Sequence, residues 1–258
     1  MIDTGHRSPL IDLFRRGEVD RDIRLLAAGG ALAPRAHDQL VLLAMLAEDA
    51  DPLVAAQANA TIGSLPADMV SAFLARPEVS ADLRNFFRAR GVLPATTPAS
   101  DASDPLIDTL AELPAVPAGD EETPEETRIL SSLPILDRIK LAMKGTREQR
   151  AQLIRDSNRM VASAVLSSPK LTESEVEAFA KMANVSEEVL RVIASNRSWL
   201  KNYGVALGLA RNPKTPPAIS MHLLHRLNER DVKIIGTDRN VPEALRLAAR
   251  KMGVKKLG

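Results

Sequence analysis

Glu187-Glu-Val-Leu190-Arg-Val192-Ile193-Ala194-Ser-Asn-Arg197 returns 42 residues later as Glu229-Arg-Asp-Val232-Lys-Ile234-Ile235-Gly236-Thr-Asp-Arg239. Apolar residues three or four positions apart make each copy one face of a helix. The match extends in both directions. Val161-Ala162 and Pro169-Lys170 recur 44 residues on as Val205-Ala206 and Pro213-Lys214. Asn184-Val185-Ser186-Glu187 recurs as Asn240-Val241-Pro242-Glu243. A longer interval of 106 to 107 residues relates the two halves of the chain. Leu46-Ala-Glu-Asp49-Ala-Asp51-Pro-Leu53-Val54-Ala55 matches Leu153-Ile-Arg-Asp156-Ser-Asn158-Arg-Met160-Val161-Ala162. Leu65 to Phe73 matches Leu171 to Phe179, and Val79-Ser80 matches Val185-Ser186. Helical units repeating every 42 to 44 residues cannot cover their own apolar stripes. They stack, and the expectation is an all-α solenoid of paired helices.

Local signals agree. Asp51-Pro52 is an N-cap followed by proline in the first turn. Thr172-Glu-Ser-Glu175 is a capping box. Thr215-Pro216 and Val241-Pro242 place proline at further helix starts. Only Val232-Lys-Ile-Ile235 looks like a strand, and it is too short to outweigh its context. Gly204 and Gly208 lie four apart inside one helix, a spacing for close helix contact.

These features resemble HEAT-like repeat proteins. Asn212-Pro213-Lys214-Thr215-Pro216 also resembles the Asn-Pro-x-Thr-Pro turn of the leucine-rich-repeat-variant family. Asp49 with Val54 and Asp156 with Val161 look like that family's helix openings. The likeness spans about residues 40–90 and 147–252. It implies an α-solenoid used for protein interaction and implies no catalytic residue. A founding member of the variant family holds an iron–sulphur cluster on cysteines, and this chain has none.

The 258 residues suggest about two domains, and 45% hydrophobic content suits a folded core. Five Phe, one Trp and one Tyr leave that core to aliphatic side chains. The net charge of +1 conceals opposed segments. Residues 95–127 hold nine acids and no base, whereas residues 128–258 hold 24 Lys/Arg against 12 Asp/Glu. We therefore divide the chain into an N-terminal helical lobe (1–94), an acidic linker (95–127) and a basic C-terminal lobe (128–258). The linker's Pro, Ser, Thr and acid content predicts disorder. Within it, 105–113 carries Leu106, Leu110 and Leu113 on one helical face. That island reads either as a transient helix in a tether or as a linear motif for a partner groove.

Chemistry is sparse. The absence of cysteine excludes disulfides, thiolate metal sites and cysteine nucleophiles. His222 and His225 have metal-ligand spacing, but no second ligand pair accompanies them. No phosphate loop, nucleophile elbow or zinc-protease motif occurs. An enzyme such as a helical-repeat glycosylase needs a carboxylate and aromatics in one cleft, and seven aromatics are spread through the chain. The expectation is no catalytic residue, no cofactor and no metal. No apolar run is long enough for membrane insertion, the start lacks signal-peptide features, and a cytoplasmic location follows.

Partner candidates cluster in the basic lobe. Arg197, Arg211 and Arg239 sit at repeat turns, with Lys201 and Lys214 nearby. Trp199 and Tyr203, four apart, lie among these bases. The first expectation is a scaffold or adaptor binding a protein or peptide. The alternative is an RNA- or DNA-binding solenoid, in which these arginines hold phosphates and the rings stack on bases. In a third arrangement the acidic linker folds onto the basic lobe and masks it.

Overall fold

The computed structural model describes residues 8–33, 35–98, 106 and 130–255. Every regular element among them is helical. A first block contains α1 (Pro9–Arg15), α2 (Arg21–Ala28), α3 (Ala36–Leu46), α4 (Pro52–Ser64), α5 (Ala67–Leu74) and α6 (Ala81–Arg88). A second contains α7 (Ile135–Lys144), α8 (Arg147–Leu153), α9 (Arg159–Ser167), α10 (Glu173–Lys181) and α11 (Glu187–Ser195). After a 3₁₀ turn at Trp199–Lys201 come α12 (Tyr203–Arg211), α13 (Pro217–Leu224), α14 (Glu229–Thr237) and α15 (Glu243–Lys255). Most of the acidic segment, including Leu110 and Leu113, lies outside the described residues. Its first residues are tied down: the Ala95 N–H donates to the Ser71 carbonyl at 2.9 Å.

Caps place the helix starts. Asp51 accepts from the Leu53 N–H at 2.9 Å, with Pro52 as first helical residue. The equivalent Asn158 accepts from the Met160 N–H at 2.9 Å. Thr172 and Glu175 form the expected capping box, and Thr146 with Gln149 forms a second. Two proline readings shift by a residue: α13 begins at Pro217 and α15 at Glu243. Val232 to Ile235 lies inside α14, where the Asn228 cap and the packing of Val232 and Ile235 override strand propensity.

Helix starts recur at the intervals of the sequence. Those of α9 and α12 are 44 residues apart, those of α10 and α13 are 44 apart, and those of α11 and α14 are 42 apart. The starts of α4, α5 and α6 precede those of α9, α10 and α11 by 106 or 107 residues. Each interval therefore holds three short helices, where pairs were expected. The third fits because each helix is only eight or nine residues long in these intervals.

Packing joins helices across intervals. α7 packs on α9, α10 on α12, and α13 and α14 on α15. Gly208 permits the α10–α12 approach: a Cβ there would stand 3.2 Å from the Ala180 Cβ and 3.4 Å from its carbonyl carbon. The core is aliphatic, with Phe73, Phe87 and Phe179 as its largest fully buried side chains. α1 links the two blocks by packing on both α3 and α9. Its Leu10, Ile11, Leu13 and Phe14 are all buried, so the helix is apolar nearly all round.

Candidate interaction surface

Five of the turns between helices share one hydrogen bond. At Asp49, Asp156, Asn196, Asn212 and Asp238 the side-chain oxygen accepts from the backbone N–H two residues on. The distances are 2.8, 2.8, 2.9, 3.0 and 2.9 Å. This Asx turn needs one acceptor oxygen, which Asp and Asn both supply. The remaining side-chain atom determines what the turn requires of its neighbour. Each carboxylate draws a guanidinium: Arg24 reaches Asp49 at 2.6 Å, Arg138 reaches Asp156 at 2.6 Å, and Arg211 reaches Asp238 at 3.1 Å. The amide of Asn212 instead donates to the carbonyls of Ala180 and Met182, at 3.0 and 2.9 Å, at the end of α10. Asn196 is neutral and has no cationic partner among the described residues.

A substitution series at Asp156 separates the two bonds. Asp156→Asn keeps the turn and loses the partner of Arg138, at a cost of about 1 kcal/mol. Asp156→Ala loses both, at about 2 kcal/mol. Urea unfolding should rank the variants in that order, and equal losses would mean that the turn bond contributes nothing.

A groove of about 810 Å³ opens where the two blocks meet. Its walls are α1, the start of α9, the length of α11 and the loop after it. Four arginines line it, Arg16, Arg159, Arg191 and Arg197, together with Asp12, Glu187 and Glu188. Glu188 is a hub. It accepts from Arg16 at 3.2 Å and from Arg159, which also reaches Glu18 at 3.1 Å. The bond to Glu188 raises the Arg159 pKa above its usual value. Arg191 donates to Glu187 at 3.0 Å, one helical turn back. These pairs tie α1 and its following loop to the second block. Val192 and Trp199 supply apolar surface.

A second groove of about 750 Å³ crosses the turns of α10, α12 and α14. Lys181, Arg211, Asn212, Asp238 and Asn240 border it beside Leu207 and Pro213. Both cations have partners here: Lys181 pairs with Glu177 at 2.6 Å, and Arg211 pairs with Asp238.

The seven basic-lobe candidates are dispersed among these features. Arg197 and Trp199 share the first groove, and Arg211 borders the second. Lys201, Lys214 and Arg239 are exposed outside both. Trp199 and Tyr203 do not lie on one helix. Asn202 ends the 3₁₀ turn and caps α12 through the N–H groups of Gly204 and Val205, so the rings belong to different elements. Trp199 is half-buried against the core. The Tyr203 hydroxyl donates to Asp231 and accepts from the Asn228 N–H at 3.2 Å. Partial burial and the Asp231 carboxylate raise the phenol pKa. Leu106 is partly buried against the chain's own core. Arg16, Arg159 and Arg191 were missed by the sequence reading, because α1 meets α9 across some 150 residues and no local pattern records that contact.

His222 and His225 are both exposed on and just after α13. Among the described residues no group of three or more His, Cys, Asp or Glu is placed to hold a metal ion. No helix among them is long and apolar enough to cross a membrane. Comparison with protein-family models, curated proteins and solved structures found no match.

Proposed function

We propose that this chain is a non-enzymatic, cytoplasmic scaffold or adaptor, built as an α-solenoid of HEAT-like repeats, that binds a protein or peptide partner. The observation that carries this reading is the return of a helix triplet every 42 to 44 residues with the same Asx-turn bond. Intervals of roughly 40–47 residues with two or three helices belong to stacked-repeat proteins, which present extended surfaces to partners. Mixed charge along the larger groove supports a polypeptide ligand.

A nucleic-acid reading is favoured by a different observation. Arg197, Lys201, Lys214 and Arg239 are exposed and have no acidic partner among the described residues.

One experiment tests both. The immobilised full chain is panned against a random peptide library, and the soluble chain is titrated with RNA and DNA across a salt series. Convergent peptides binding with submicromolar Kd near physiological salt support the scaffold. No peptide enrichment, with nucleic-acid affinity falling by about 0.7–0.9 log units per phosphate for each log unit of salt, overturns it.

A further inference from the structure

We propose that the groove between α1 and α11 is the peptide site, and that it takes an acidic segment bearing an apolar anchor. This rests on the scaffold reading above. Three features of the groove point to that chemistry. First, its cations are unequally occupied. Arg16 and Arg159 hold Glu188, and Arg191 holds Glu187, whereas Arg197 has no acidic partner among the described residues. Asn196 beside it is uncharged and spends its side-chain oxygen on the Ser198 N–H at 2.9 Å. A side-chain carboxylate from a ligand supplies the missing partner.

Second, Val192 and Trp199 form an apolar surface within the same groove. An aliphatic side chain next to the ligand's carboxylate covers it. A groove of about 810 Å³ suits a few residues of extended peptide.

Third, the site discriminates against a polyanion. Asp12, Glu187 and Glu188 share the walls with the four arginines. A sugar–phosphate backbone meets these carboxylates at every step, while a peptide alternating apolar and acidic residues carries fewer charges and can set one at Arg197, the groove arginine without an acidic partner among the described residues.

Trp199 is the single tryptophan of the chain, so its emission reports on this groove alone. The full chain is titrated with a labelled Leu-Asp repeat peptide, a Leu-Asn counterpart and oligouridylate, while probe anisotropy and Trp199 emission are both followed. The acidic peptide should bind saturably and shift the emission, and the neutral one should not. Arg197→Glu, an exposed change that breaks no described bond, should weaken binding by about tenfold. Lys233→Glu, on α14 outside the groove, should leave it unchanged. Acidic-peptide binding without a change at Trp199, or indifference to Arg197→Glu, overturns this site and leaves the scaffold reading standing. Oligouridylate shifting Trp199 when the acidic peptide does not also overturns it, in favour of the nucleic-acid reading. Binding of no probe overturns the ligand chemistry proposed here, while peptide panning decides the scaffold reading separately.

Discussion

Replacing Arg150 with methionine is expected to destabilise the protein by about 3–5 kcal/mol, the largest effect of any single charge removal considered. Arg150 and Glu175 are 6% and 2% exposed and meet at 2.8 Å. The guanidinium also donates to the Gly145 carbonyl at 2.9 Å, closing the end of α7. Glu175 meanwhile accepts from the Thr172 N–H at 3.0 Å as half of a capping box. One buried pair thus joins the end of α7, α8 and the start of α10. Without Arg150 the carboxylate stays buried next to an apolar side chain, with its cation gone. Arg150→Met combined with Glu175→Gln removes that stranded charge and retains a capping side chain. The double variant should recover a large part of the loss in urea unfolding. Equal destabilisation of the single and double variants would mean that the charge is not what matters.

Ile11→Ala is expected to cost about 3 kcal/mol and to change how the protein unfolds. Ile11 is fully buried in α1. That helix packs on α3 in one block and α9 in the other, and the Leu10 N–H donates to the Ser167 hydroxyl at 3.3 Å. In a stack of short helices, cooperativity passes through neighbour interfaces, so weakening the shared helix weakens the coupling between blocks. Trp199 emission follows the second block and far-ultraviolet circular dichroism follows the whole chain. The two curves should coincide in the parent protein and separate in Ile11→Ala. Coincident curves shifted together would place the coupling elsewhere, for instance in the Arg159–Glu18 and Arg16–Glu188 pairs.

Legibility in the sequence follows the range of the interactions. The all-helical class, the capping box at Thr172 and the Asp51-Pro52 start depend on residues within a few positions of one another. The close contact allowed by Gly208 was legible as a need for a small residue, but not as an approach to Ala180. The three-helix interval was read as a helix pair, because the apolar pattern of a helix only eight or nine residues long is too brief to count reliably. The binding candidates were read by charge and spacing alone. Arg211 stood out as a base at a turn, yet Asp238 neutralises it, and that pairing spans 27 residues. Trp199 and Tyr203 stand four apart in the sequence, and a single capping residue, Asn202, divides them between two elements.

The sequence alone therefore determined the helical class, the capped starts at Asp51 and Thr172, the interval at which helices recur and the opposed charges of the segments. Each depends on backbone hydrogen bonds and side-chain periodicity that act within a turn or two of the chain. Tertiary structure decided which charges remain available. Three turn carboxylates draw arginines from other helices, whereas among the described residues Asn196 draws none and Arg197, in the groove with Trp199, has no acidic partner. It also decided that α1 closes the gap between the blocks and walls the groove. Such outcomes depend on which surfaces meet after stacking, and residues 150 positions apart leave no local trace of meeting.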